Sequence, residues 1–261
     1  MAIGLIIIGD EILSGKRSDA HFSKVVELLK ARGLALAWAE YQGDDPARIV
    51  TTLQRTFASD DIVFCCGGIG ATPDDHTRQA AATALGRPLQ LHPEAAALIE
   101  ERMADVAREK GQVLDMSAAD NRQRLKMAEF AEGAALIPNP YNKIAGFALG
   151  QHYFVPGFPV MAWPMLEWVL DTYYQHLFNV APVAERALLV YGQPESGLTP
   201  LMETLEARYA PVKVFSLPSV GTATTRPHIE LGVKGDPALL ADAFGAMCAE
   251  LDRMNAEYTK L

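Results

Sequence analysis

Three short apolar runs, each followed by an amphipathic stretch, constrain this chain more than any other feature. They are Ala2–Ile8, Leu34–Glu40 and Asp61–Cys66. The first, a continuous apolar run, suits a strand buried on both faces, and the other two read as a second and a third strand. Between the first two, Phe22, Val25, Val26 and Leu29 repeat at helical spacing, with Ser18 placed to cap that helix and Gly33 to stop it. Asp45-Pro46 supplies an N-cap and a first-turn proline for a helix whose inner face is Ile49, Val50, Leu53 and Phe57. Another helix is predicted from about Thr77 to Leu85, ended by Gly86. This βαβαβα order with short connections predicts a parallel sheet covered by helices on both faces.

Further along, helices are predicted over Pro93–Lys110 and Ser117–Met127, and short strands over Ala134–Pro138 and His152–Val155. Gly157-Phe158-Pro159 then leads into a helix through Trp163, Leu166, Val169, Leu170 and Tyr173. A break falls near Asn179–Glu185. After it come strand Arg186–Tyr191, helix Thr199–Arg208, strands Val212–Leu217 and His228–Val233, and helix Pro237–Met254. The expectation is an α/β domain over residues 1–179 and a small α+β domain of βαββα order over 183–261.

The net charge of −9 argues against a broad electrostatic grip on nucleic acid or an anionic membrane. No apolar run approaches the ~18 residues of a membrane span. Met1–Ile8 lacks the basic start of a signal peptide. The three cysteines, Cys65, Cys66 and Cys248, form neither a disulfide framework nor a zinc spacing. These features predict a cytoplasmic protein that handles small molecules, with Cys65 and Cys66 as packing residues.

Chemistry concentrates in three loops. The richest is Gly67-Gly68-Ile69-Gly70-Ala71-Thr72-Pro73-Asp74-Asp75-His76-Thr77, between a buried strand and a helix. In an open α/β sheet that strand end is where ligands bind. Glycines there let backbone N–H groups approach an anion closely, and the helix N-terminus adds partial positive charge. Asp75 can hold Mg²⁺ against a phosphate or act as a base; alternatively Asp74 or Asp75 simply caps the helix. The second loop, Gly9-Asp10-Glu11-Ile12-Leu13-Ser14-Gly15-Lys16, is no P-loop: five residues separate its glycines and Arg17 follows the lysine. Asp10 and Glu11 suit metal or hydroxyl ligation, or else satisfy backbone donors of their own loop. Asp44-Asp45 adds acidic positions at the same sheet edge, with a helix cap as the plain explanation for Asp45. The third loop, Val155-Pro156-Gly157-Phe158-Pro159, is either a ligand approach or a rigid turn. There is no H-E-x-x-H, G-x-S-x-G or C-x-x-C.

Taken together, these loops resemble the MogA/MoaB-like molybdopterin-binding domain, in the version found at the N-terminus of CinA-type (competence/damage-inducible) proteins. Gly43-Asp44-Asp45, Leu85-Gly86-Arg87-Pro88-Leu89, Asn121-Arg122-Gln123 and Leu136-Ile137-Pro138-Asn139-Pro140 extend the likeness, which covers about residues 3–175. The C-terminal deamidase domain of full-length CinA proteins is expected to be absent. The resemblance implies a three-layer α/β sandwich with a mostly parallel sheet, and a homo-oligomer. It also implies a nucleotide or pterin ligand. By this resemblance, Asp75, Asp10 and Asp45 are candidate catalytic residues, and Asp10 and Asp75 are candidate metal ligands. Gly67, Gly68, Gly70, Thr72, Asp74, Thr77, Ser14, Gly15, Pro156, Gly157 and Pro159 are candidate phosphate- or substrate-binding residues. In the CinA branch the module is linked to metal-dependent hydrolysis of ADP-ribose, so a divalent cation (Mg, Mn or Co) is expected. In the MogA/MoaB branch it binds and adenylylates molybdopterin. Ile69 stands where the latter branch has threonine. Ala71 stands where the CinA branch has proline, and bulky, charged Tyr141–Ala145 replaces its run of small residues. Three functions follow: an ADP-ribose pyrophosphatase, a molybdopterin-binding protein of cofactor biosynthesis, and a non-catalytic nucleotide-binding scaffold.

Overall fold

The first apolar run is buried along its whole length as strand β1 (Ile3–Ile8) in a computed structural model that describes residues 1–180 and 184–261. β1 is followed by a one-turn helix α1 (Asp10–Leu13), helix α2 (His21–Lys30), β2 (Trp38–Gln42), α3 (Pro46–Phe57), β3 (Ile62–Cys66) and α4 (Thr77–Leu85). Then come β4 (Leu89–Leu91), α5 (Pro93–Glu109), α6 (Ala119–Leu125), β5 (Glu129–Ala131), β6 (Ala135–Ile137), β7 (Gly146–Leu149), β8 (His152–Val155) and α7 (Pro159–Tyr173). The sheet order is β2-β1-β3-β8-β7-β6. β2, β1, β3 and β8 run parallel; β7 is antiparallel to β8, and β6 is antiparallel to β7. β4 and β5 form a separate antiparallel pair.

Because side chains alternate along a strand, β1 feeds two cores. Ile6 and Ile8 pack with Ile49 and Leu53 of α3, Ala81 of α4 and Ile99 of α5. Ile3, Leu5 and Ile7 pack with Val25 and Leu29 of α2 and Leu166 and Val169 of α7. Helices therefore cover both faces of a mostly parallel sheet, the expected α/β sandwich. In the first core, Phe130, Phe147 and Phe154 stack with centroids 4.7 and 4.4 Å apart.

Several local expectations change. α2 is capped by Asp19, whose carboxylate accepts from the amides of His21 and Phe22, rather than by Ser18. Its buried stripe is His21, Val25, Leu28 and Leu29, leaving Phe22 42% and Val26 37% exposed. The second strand starts at Trp38 instead of Leu34. β7 was not foreseen. It is short and wholly buried, and Gly146 opens it because a Cβ there would strike the Phe154 carbonyl.

By internal contacts the chain divides into Met1–Phe178 and Asn179–Leu261. Residues 181–183, which hold part of the predicted break and the predicted start of the second domain at Val183, lie outside the described residues. The second unit comprises β9 (Ala184–Tyr191), α8 (Glu195–Arg208), β10 (Lys213–Ser219), β11 (His228–Gly235), α9 (Pro237–Arg253) and β12 (Glu257–Lys260). Its antiparallel sheet, ordered β10-β11-β9-β12, packs Leu188, Val190, Leu231 and Val233 against Leu201, Leu205, Leu240 and Met247 of its helices. The polar edge strand β12 adds an element to the expected βαββα order.

Candidate functional site

Strand register brings the three loops and the Asp44-Asp45 segment together. Ile7 of β1 pairs with Cys66 of β3, Ile8 with Gln42 of β2, and Cys66 with Val155 of β8. The loops that begin at Gly9, Gly43, Gly67 and Pro156 therefore leave one edge of the sheet, the carboxyl edge of its parallel strands. The Gly67 amide donates to the Val155 carbonyl (3.0 Å) and the Gly9 amide to the Gln42 carbonyl (2.9 Å), tying neighbouring loops at their bases.

The loop from β3 to α4 has an uneven distribution of hydrogen bonds. From Gly67 to Thr72 its carbonyls are all engaged by protein. Gly67 O accepts from the Thr77 hydroxyl (3.0 Å) and Gly68 O from the Thr77 amide (3.0 Å). Ile69 O and Gly70 O accept from the Arg78 guanidinium (3.1 and 2.7 Å). Ala71 O accepts from the Gln123 side chain (2.6 Å), and Thr72 O from the Asp75 amide (3.0 Å). By contrast, the amides of Gly68, Ile69, Gly70 and Ala71 donate to no protein group among the described residues. Successive free amides ahead of a helix form an anion-binding concavity. Gly67, at φ +110°, cannot be replaced without a clash, since a Cβ there would strike the Ile8 carbonyl. At Gly70 a Cβ would sit 2.5 Å from Asp75 Oδ2.

Gly68, Ile69, Gly70 and Ala71 belong to the wall of a cavity of about 390 Å³, within the range of small-molecule sites. Glu11, Asp44, Asp74 and Asp75 line it, with Arg17, Asn139, Asn142, Pro156 and Gly157. Asp75 Oδ2 accepts from the Thr72 amide (2.9 Å) and hydroxyl (2.5 Å), bracing the loop. Asp10 and Asp44 exchange bonds: the Asp10 amide donates to Asp44 Oδ2 (2.9 Å) and the Asp44 amide to Asp10 Oδ1 (3.2 Å). Burial raises the Asp44 carboxyl above its ordinary pKa. The Asp10 amide opposes that rise, and the carboxylates of Asp10, Glu11 and Asp74 add to it.

Of the residues singled out from sequence, Gly67, Gly68, Gly70, Thr72, Asp74, Asp75, Pro156 and Gly157 line this cavity. Asp10 and Ser14 line an adjoining shallow recess that shares Glu11, Asp44 and Asp74 with it. Asp45 is not in the wall: its carboxylate caps α3 through the amides of Ala47 and Arg48. Thr77 is buried beneath the loop and Pro159 opens α7, and Gly15 makes a left-handed turn at φ +72°. Arg78, Arg17 and the Asn139/Asn142 pair stand outside the set of residues expected from sequence. A charged residue on the core-facing side of α4 was the one available signal for Arg78. Among the described residues no three His, Cys, Asp or Glu side chains converge as a cation site. Asp10 and Asp75 face different hollows, and each already spends an oxygen on a loop amide, Asp10 on that of Asp44 in the neighbouring loop and Asp75 on that of Thr72 in its own. The described residues thus do not by themselves build the expected divalent-cation site.

Fold and loops together define an α/β domain with a ligand cavity at the carboxyl edge of its parallel strands. Residues 4–176 match the family described as "Probable molybdopterin binding domain", and the chain belongs to that family. A CinA-like protein of Escherichia coli O9:H4 is 30% identical over 260 residues, covering 97% of this chain and 60% of the relative. A CinA-like protein of Syntrophotalea carbinolica is 31% identical over 198 residues, covering 74% of this chain and 46% of the relative. The chain thus spans about half the length of these curated relatives. Among solved structures, the protein CinA from Thermoplasma acidophilum, described as of unknown function, superposes with a TM-score of 0.55. It is 24% identical, over 66% of this chain and 98% of that one, and it shares the fold. Among the described residues no helix is long and apolar enough to cross a membrane.

Proposed function

We propose that the cavity binds a phosphorylated nucleotide- or pterin-type molecule with a phosphate on the amides of Gly68, Ile69, Gly70 and Ala71, and that the chain hydrolyses a phosphoanhydride, ADP-ribose being the leading substrate. The observation that carries this reading is the division of the glycine loop: every carbonyl from Gly67 to Thr72 is held by protein while four consecutive amides are free. Fixed donors of this kind stabilise charge that builds on a phosphoryl group during displacement. Asp75 is braced through one oxygen, and its other oxygen is the group to take a proton from attacking water. The test is AMP release from ADP-ribose with Mg²⁺, Mn²⁺ or Co²⁺ in turn. Turnover by the wild type is expected to disappear in Asp75→Asn with melting temperature unchanged, because an amide oxygen can still accept from Thr72. A wild type inactive with all three cations would overturn the hydrolase.

A pterin ligand is favoured by the family match and by carboxylates at Glu11, Asp44 and Asp74, which suit the N–H donors of a pterin edge. Direct titration with molybdopterin reads this alternative. Nucleotide binding without turnover would instead mark a scaffold. The homo-oligomer belongs to the same proposal and is read by light scattering.

A further inference from the structure

The cavity wall holds four carboxylates, Glu11, Asp44, Asp74 and Asp75, against a single cationic side chain among the described residues, Arg17. A first phosphate needs no side-chain cation, since the loop amides receive it. A second phosphate must lie away from that loop, and there the carboxylates repel it. Arg17 is the one group in the wall that offsets this repulsion. Its guanidinium makes no hydrogen bond or ion pair with the described residues, whereas its backbone is anchored through its amide on the Glu11 carbonyl (3.0 Å). A guanidinium so placed can meet two phosphate oxygens at once.

Resting on the phosphate reading above, we infer that Arg17 sets the ligand class: it receives a second phosphate, so the site prefers diphosphate esters to monophosphate esters. Lys16 lines the adjoining recess and not this wall, which provides an internal comparison.

The probes are AMP and ADP, which differ by one phosphate, titrated calorimetrically at fixed ionic strength without divalent cations. Wild type is expected to bind ADP at least about tenfold more tightly than AMP, a difference of ~1.4 kcal/mol. Arg17→Gln is expected to bring the two affinities within about twofold of each other by weakening ADP alone, and Arg17→Lys to retain part of the preference. Arg17 is exposed, so the melting temperature of each variant should match wild type. Equal affinities in wild type, or an unchanged ratio in Arg17→Gln, would overturn the role of Arg17 while leaving the phosphate site standing. A ratio lost in Lys16→Gln but kept in Arg17→Gln would overturn it as well. Binding of neither nucleotide by wild type would remove the phosphate site and this inference with it.

Discussion

At the scale of single residues the site depends on a side chain that does not enter the cavity. Arg78 is 2% exposed, and its guanidinium donates to the carbonyls of Ile69, Gly70, Lys126 and Glu129. Burial lowers its pKa, while the carboxylates of Glu129 and Asp75 pull it back up. With the loop carbonyls held from behind, the peptide units present their amides to the cavity. Arg78→Met keeps much of the side-chain volume but leaves the carbonyls of Ile69, Gly70 and Glu129 without a donor, while Lys126 O keeps the Glu129 amide. The expected cost is about 3 kcal/mol, since each buried polar group left unpaired costs roughly 1–3 kcal/mol and water can reach some of them. Urea unfolding measures that loss. AMP affinity should fall as well, because a loop free to rotate no longer aims its amides. A variant as stable as wild type would show that these carbonyls find other donors.

At the scale of elements, local signals read well and partner-dependent ones did not. Helix α4 was predicted over Thr77–Leu85 and spans those residues, because Gly86 in the left-handed region ends it within its own sequence. α3 starts at the Asp45-Pro46 pair for the same reason. The face of α2 depends on what packs against it, so a stripe through Phe22 and Val26 fitted the sequence equally well and was wrong. β7 and β12 are four residues each and form only where a neighbour supplies the ladder. The same limit applied at the site. The glycine loop was legible because backbone conformation demands glycine, whereas neighbouring acids could not be told apart by spacing. Asp44 lines the cavity and Asp45 caps a helix. Asp45→Ala should therefore cost about 1 kcal/mol of stability and leave ADP affinity unchanged. A loss of affinity without a loss of stability would return Asp45 to the site.

At the scale of the whole molecule, a central strand of a sheet covered on both faces buries the polar residues it carries. His152 of β8 is 2% exposed; its ring lies tilted against that of Phe57 (centroids 4.1 Å apart) and Nε2 meets the Thr56 hydroxyl at 2.9 Å. Burial lowers its pKa from 6.5 to about 4, with Asp61 opposing the shift. The unfolded chain therefore takes up a proton near pH 6.5 that the folded chain refuses until about pH 4. Above pH 6.5 both states are neutral at this position and stability is unaffected. As pH falls from 6.5 to 4 the unfolded state gains, and by pH 4 His152 has withdrawn on the order of 3 kcal/mol from folding. Carboxylates such as Asp171, held low by its hydrogen bonds from Arg32, lose their contribution at more acidic pH, so the histidine window precedes theirs. His152→Gln lacks the titration and retains a group able to meet Thr56. Its stability should decline less than that of wild type between pH 6.5 and 4, with the difference between the two chains constant above pH 7. Parallel stability curves across that interval would mean that the ring is protonated inside the fold as readily as outside it.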